Sequence, residues 1–260
     1  MAQSRAEFDS QFQHRVARAS LAAVSDFGFV LAGAGALREH GLIDRPTEDI
    51  DLFTIQKYKQ DFPRAVDKIV ATLRDAGLEV AATEVDESFA RLHVSDPRTG
   101  AYTTIDMGVD WRSSAPATLQ VGAVLAEVDS VASKMAALYS RGEPRDFLDV
   151  DRIRQSGRFT DEELLEVAVN FDPGFDRSYF AHRLSTVSSI AAREVHEYGV
   201  SSDAFESIAK RLEVWGRQLT KPHSPQEPGL GSSPTKPHIS PPAKPWEGPG
   251  MSGPERGLEL

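Results

Sequence analysis

Two aspartates two residues apart, Asp49 and Asp51, stand in the alternating segment DIDLFTI of residues 49–55. Side chains of an extended strand alternate between faces, so these two project together while Ile50 and Leu52 turn into a core. Adjacent carboxylates repel unless a cation lies between them. Hard divalent ions take oxygen ligands of this kind, and Mg²⁺ commonly joins one or two carboxylates to the phosphates of a substrate. The ordinary alternative is a pair of exposed acids on an edge strand, and a lone Asp-x-Asp does not decide between them. Upstream, FVLAG at 29–33 is a short apolar run that ends in glycine and is followed by Ala34 and Gly35. Small residues at Gly33 and Ala34 let a backbone approach phosphate oxygens, and a helix start offers free N–H groups to them. Arg45 and Thr47, just before the acidic pair, can supply a cation and a hydroxyl.

With these residues in place, LAGAGALREHGLIDRPTEDIDLFT (residues 31–54) resembles the first motif of the DNA-polymerase-β-like nucleotidyltransferase superfamily. More closely it is similar to the AbiEii-type nucleotidyltransferase toxins, including the mycobacterial MenT group. A second block, SKMAALYSRGEPRDFLDV at 133–150, resembles that family's Lys-(Leu/Met)-x-Ala-Leu-x-x-Arg element with Arg/Lys-Asp-x-x-Asp close behind. Lys134, Leu138 and Arg141 fall at i, i+4 and i+7 and share one helical face, where a lysine and an arginine suit a triphosphate. Asp146 opens a further helix, with Asp149 one turn on. The ordinary alternative is a salt-bridged helix pair, Arg141 and Arg145 being neutralised by Asp146 and Asp149. The resemblance implies a third carboxylate on the neighbouring strand, and YTTIDMGVD (102–110) offers Asp106 and Asp110. Asp106 lies between Ile105 and Met107, where an unpaired charge is costly and a metal would relieve it. Ala34 stands where the family carries Gly or Ser, so contact there falls to backbone N–H groups.

The resemblance implies an α/β (α+β) fold with a small mixed twisted sheet flanked by helices and an all-helical C-terminal domain. It implies catalytic roles for Asp49, Asp51, Lys134 and Asp146. It implies nucleotide contacts from Gly33, Ala34, Arg45, Thr47, Lys134 and Arg141, and two Mg²⁺ ions on Asp49, Asp51 and Asp106. The activity implied is transfer of a nucleoside monophosphate from an NTP to an RNA such as a tRNA 3′ end. The partner implied is a separately encoded antitoxin. Two other readings stay open, nucleotidylation of a small-molecule hydroxyl and a catalytically silent nucleotide-binding module.

The elements that must carry these residues follow from periodicity. Apolar residues at helical spacing predict helices over 3–25 and 61–76, the latter stopped by Gly77. Ala34 to His40 make one or two helical turns ended by Gly41. LEVAAT, FARLHVS and YTTIDMGVD are β-rich, the last two joined by the turn signal DPRTG. From Asp129 to near Thr220 the pattern is helical. The division expected is an α/β nucleotidyltransferase domain over 1–128, a helical domain over 129–220 completing the cleft, and a disordered tail over 221–260. In that tail 16 of 40 residues are Pro or Gly, too few apolar groups to offset ordering entropy.

Composition limits the partners. With 29 Lys plus Arg against 39 Asp plus Glu the net charge is −10, which excludes nucleic-acid binding driven by bulk positive charge. It leaves room for phosphates met through metals and a few placed cations. There are no cysteines, so disulfides, zinc–thiolate sites and cysteine nucleophiles are excluded. No apolar window reaches the roughly 18 residues a membrane span needs, and the N-terminus lacks a signal-peptide core, so a cytoplasmic protein is expected. The seven histidines show no metal-ligand spacing, and neither GxSxG nor GxxxxGK[ST] occurs.

Overall fold

The computed structural model describes residues 5–47 and 49–220, so the Pro/Gly-rich segment read from the sequence at 221–260 lies outside the described residues. The helix predicted over 3–25 is α1 (Arg5–Ala23). The apolar run after it makes only a two-residue strand, β1 (Val30–Leu31), because the chain turns at Ala32 into α2 (Gly33–Glu39). The acidic strand is β2 (Asp49–Thr54), with Ile50, Leu52 and Thr54 buried and Asp49, Asp51 and Phe53 on the open side. Helix α3 (Phe62–Asp75) follows with Phe62, Ala65, Val66, Ile69 and Leu73 on its buried stripe. Strands β3 (Glu79–Val85), β4 (Phe89–Ser95) and β5 (Tyr102–Val109) complete the predicted β-rich set.

A short hairpin, β6 (Ala117–Leu119) and β7 (Gly122–Val124), adds two strands that periodicity does not signal. The sheet order is β3-β4-β5-β2-β1-β7-β6. It is mixed: β2 runs parallel to β5, and β1 parallel to β7, while the other pairs are antiparallel. One face of the sheet is covered by α1 and α3, where Phe12, Phe62, Ile69, Leu92 and Ile105 are fully buried. The other face of β2, β5 and β4 carries the polar side chains.

Residues after 126 form α4 (Glu127–Ser140), α5 (Pro144–Gln155), α6 (Asp161–Phe171), α7 (Arg177–Ser185) and α8 (Ser202–Leu219). The helical run expected to Thr220 is broken between Thr186 and Tyr198 into three short 3₁₀ turns. That stretch is rich in Ser and β-branched residues, which favour turns over helix interiors. A second core gathers around Phe147, Phe180 and Trp215, and the Trp215 ring is capped by the Arg154 guanidinium at 4.7 Å. Helix α2 belongs to both cores. Ala36 packs in the first, whereas Ala34 and Leu37, with Leu42 and Ile43 beyond the helix, pack in the second.

Candidate active site

Register alone brings the carboxylates together. Asp51 of β2 is paired with Asp106 of the parallel β5, and alternation puts Asp49 on the same open face. One carboxylate oxygen from each of Asp49, Asp51 and Asp106 lies within 4.8 Å of the others. Three hard oxygen donors at this spacing suit a divalent cation. Electrostatics agree with that fit. Burial first, and then the charges of Asp49 and Asp106, push the Asp51 carboxyl up to about 7, against the opposing pull of Lys134 and Arg145.

Gly33 explains how this carboxylate is approached from α2. Its φ is +54°, in the left-handed region, and a Cβ built there would lie 1.8 Å from Asp51 Oδ2. The backbone therefore lies against the carboxylate with no room for a side chain, and no side chain caps the first turn of α2. Gly33→Ala is expected to push the Asp51 side chain aside and to cost about 1–3 kcal/mol in backbone strain. Urea unfolding together with Mn²⁺ titration checks this, and unchanged stability with unchanged ion affinity would contradict it.

The helical block arrives as a tight ion network. Lys134 is only 7% exposed, and its Nζ lies 3.2 Å from Asp146 Oδ1 and 3.0 Å from Asp149 Oδ2. Arg141 forks onto Asp146 at 2.8 and 3.0 Å, and Arg45 forks onto Asp149 at 2.6 and 2.7 Å. Burial alone would raise the Asp146 pKa. The hydrogen bond from Arg141 and the charge of Lys134 outweigh it and hold Asp146 below the usual carboxylate range. Asp146 is fully buried and also accepts from the Glu143 backbone N–H, closing the capping box that starts α5. The salt-bridged alternative is thus partly realised with different partners. Arg141 does meet Asp146, but Asp149 takes Arg45, and Arg145 pairs with Glu143 at 2.9 Å.

Apart from Gly33, the residues predicted to bind nucleotide are already engaged by the fold. Lys134, Arg141 and Arg45 are held by buried carboxylates, and Ala34 is buried in the second core. The Thr47 hydroxyl donates to Gln13 Oε1, and the Gln13 amide donates to the Thr47 carbonyl. Thr47, Gln13 and Arg38 line a cavity of about 60 Å³ on one flank of Asp49.

Two arginines not assigned to the site by sequence belong to it. Arg145 acts electrostatically on both Asp51 and Tyr198, and its ion-pair partner Glu143 is half-exposed. Arg45 stacks on the Tyr198 ring at 5.4 Å. Arg91 of β4 forks onto Asp106 from the side opposite Asp51. The only sequence signal for Arg91 is its polar character in the alternation of FARLHVS, which is silent about strand register.

The sequence model of the AbiEii nucleotidyl transferase toxins, a type IV toxin–antitoxin family, matches residues 19–213. The fold is similar to that of JHP933 from Helicobacter pylori (TM-score 0.51, 17% identity, covering 84% of this chain and 93% of that one). It is equally similar to an H. pylori protein provisionally assigned as a nucleotidyltransferase (TM-score 0.51, 16% identity, covering 84% and 96%). The antibiotic-resistance factor ANT(2″)-Ia is more distant, at TM-score 0.41 and 13% identity over 63% of this chain and 92% of that one. No curated protein matches the sequence.

Proposed function

The chain belongs to the AbiEii family of nucleotidyl transferase toxins of type IV toxin–antitoxin systems, and from that membership we propose that it transfers a nucleoside monophosphate from an NTP, with Mg²⁺, to an RNA hydroxyl, the tRNA 3′ end being the first candidate. The observation that carries this reading is the set of three carboxylates, Asp49, Asp51 and Asp106, converging on one face of the sheet. The acceptor hydroxyl oxygen bonds to the α-phosphorus, the bond to the β-phosphate oxygen breaks, and pyrophosphate leaves. Divalent ions held by the three carboxylates would polarise the α-phosphoryl group and favour ionisation of the acceptor hydroxyl. Gly33 allows the α2 backbone to approach the phosphates beside Asp51. Arg145, spent on a half-exposed partner, is the cation best able to turn to the triphosphate, with Tyr198 beside it.

Lys134 and Asp146 act in this reading from behind the site. Lys134 places a positive charge near Asp51, and Asp146 and Arg141 fix that lysine in place. The antitoxin is a separately encoded protein, and the site of action is the cytoplasm. Among the described residues no helix is long and apolar enough to cross a membrane.

The test is transfer from α-labelled NTPs to purified total RNA with Mg²⁺ and with EDTA. Metal-dependent labelling of RNA together with pyrophosphate release is expected. The net charge of −10 favours one competing outcome, labelling of small hydroxyl compounds with RNA left unlabelled, which would overturn the RNA assignment. Nucleotide binding with no transfer to any acceptor would leave a silent binding module.

A further inference from the structure

Asp106 is claimed from two sides. On one side it is in register with Asp51, and on the other with Arg91. Arg91 Nε donates to Asp106 Oδ1 at 2.8 Å, and Nη2 donates to Oδ2 at 2.7 Å. Both carboxylate oxygens are thus engaged by a planar fork, the geometry in which guanidinium and carboxylate match best. The hydrogen bond to Asp106 and the charge of Asp106 hold the Arg91 guanidinium more firmly protonated than usual. A cation that needs an Asp106 oxygen must compete with that fork.

The fork is reached by solvent on the Arg91 side. Arg91 is 38% exposed at its side chain, whereas Asp106 is 15% exposed. A second acceptor stands ready: Arg91 Nη1 already lies 3.7 Å from Glu84 Oε1 on β3. Glu84 sits where the β3–β4 register slips between Ala82 and Glu84, so it falls opposite Arg91 across the strands. The guanidinium therefore spans two carboxylates, one in the site and one at its rim.

We infer that Arg91 is a positioning residue of the transfer reaction: it holds Asp106 by a two-bond fork while the site is unloaded and passes to Glu84 when Asp106 is needed as a metal ligand. This rests on the reading of Asp49, Asp51 and Asp106 as the metal site. It makes loading stepwise, with Asp49 and Asp51 open from the start and Asp106 admitted only when Arg91 lets go.

The test uses the full chain and Mn²⁺ alone, without nucleotide, titrated by the electron-spin resonance signal of free Mn²⁺. Arg91→Ala is expected to tighten binding of the weaker ion by up to about fivefold, the factor to which the upper limit for an exposed ion pair converts. Arg91→Lys, a point charge without the fork, should fall between wild type and Arg91→Ala. Glu84→Gln removes the alternative partner and should weaken the same ion, opposite in sign to Arg91→Ala. In an Asp106→Asn background the Arg91→Ala effect should vanish. Unchanged or weaker Mn²⁺ binding by Arg91→Ala, with binding lost in Asp49→Asn, would overturn this inference alone. Wild-type binding by Asp49→Asn and Asp51→Asn would overturn the metal-site reading and this inference with it.

Discussion

Asp51→Asn is expected to abolish transfer, by about 10³-fold, and at the same time to raise the melting temperature in metal-free buffer at pH 8. The rate loss follows because several kcal/mol of transition-state stabilisation by a bound ion is at stake, and each 1.36 kcal/mol is tenfold. The stability gain follows from the carboxyl being pushed up to about 7. A raised carboxylate pKa means that the folded protein holds the proton more tightly than the unfolded chain. Between the unfolded value near 4 and the folded value near 7, folding takes up a proton, so this group's contribution to stability falls as pH rises and levels off above 7. At pH 8 the ionised Asp51 costs the empty fold up to about 4 kcal/mol, at 1.36 kcal/mol per pKa unit. Asparagine removes that charge. A rise of several degrees is expected for a domain of this size. Mg²⁺ should raise the wild-type midpoint at pH 8 and leave Asp51→Asn unmoved. Scanning unfolding at pH 6 and pH 8, with Mg²⁺ and with EDTA, measures all of this. A variant less stable than wild type at pH 8 without metal would refute the electrostatic account.

Asp149→Ala should instead cost stability along with activity, by about 3–5 kcal/mol, the range for breaking a buried ion pair from one side. Asp149 is 1% exposed and serves two cations, Arg45 and Lys134. Its removal leaves the Arg45 fork without a carboxylate and Lys134 with Asp146 alone. Lys134→Met should cost less, because Asp146 and Asp149 each keep an arginine. A double-mutant cycle between Lys134→Met and Asp149→Ala by urea denaturation should give a coupling of at least about 1 kcal/mol, as expected for contacting residues. A loss under about 1 kcal/mol in Asp149→Ala would mean that the network contributes little to the fold.

The contrast between these two aspartates shows what one dimension of sequence can convey. Asp49 and Asp51 are legible because strand alternation is local: the apolar partners Ile50 and Leu52 declare the buried face, and the acids must take the other. The helices are legible for the same reason. Once the resemblance calls for a third carboxylate, the apolar neighbours Ile105 and Met107 single out Asp106 over Asp110. The pairing of Arg141 with Asp146 is legible because the two lie five residues apart, but the partner of Arg45 is not. Arg45 meets Asp149 across 104 residues of chain, and no local pattern encodes that distance. Arg91 depends on the register of three strands, and a slip of one residue would turn it to the other face. The hairpin of β6 and β7 is too short to develop a period. Its value to the fold comes from pairing β7 beside β1, a tertiary event.

Helix α2 carries a consequence for how the protein is made. Its Ala36 is buried with the sheet, while Ala34 and Leu37, joined by Leu42 and Ile43, are buried in the helical core, where α2 packs on α4. A nascent chain that has emerged only to residue 128 has every strand and all three candidate metal ligands, yet it must leave Leu37, Leu42 and Ile43 facing water. The Gly33 turn against Asp51 hangs from that same helix. A chain that stops before α4 is therefore expected to be an aggregation-prone fragment, and expression of residues 1–128 with a solubility assay would check this.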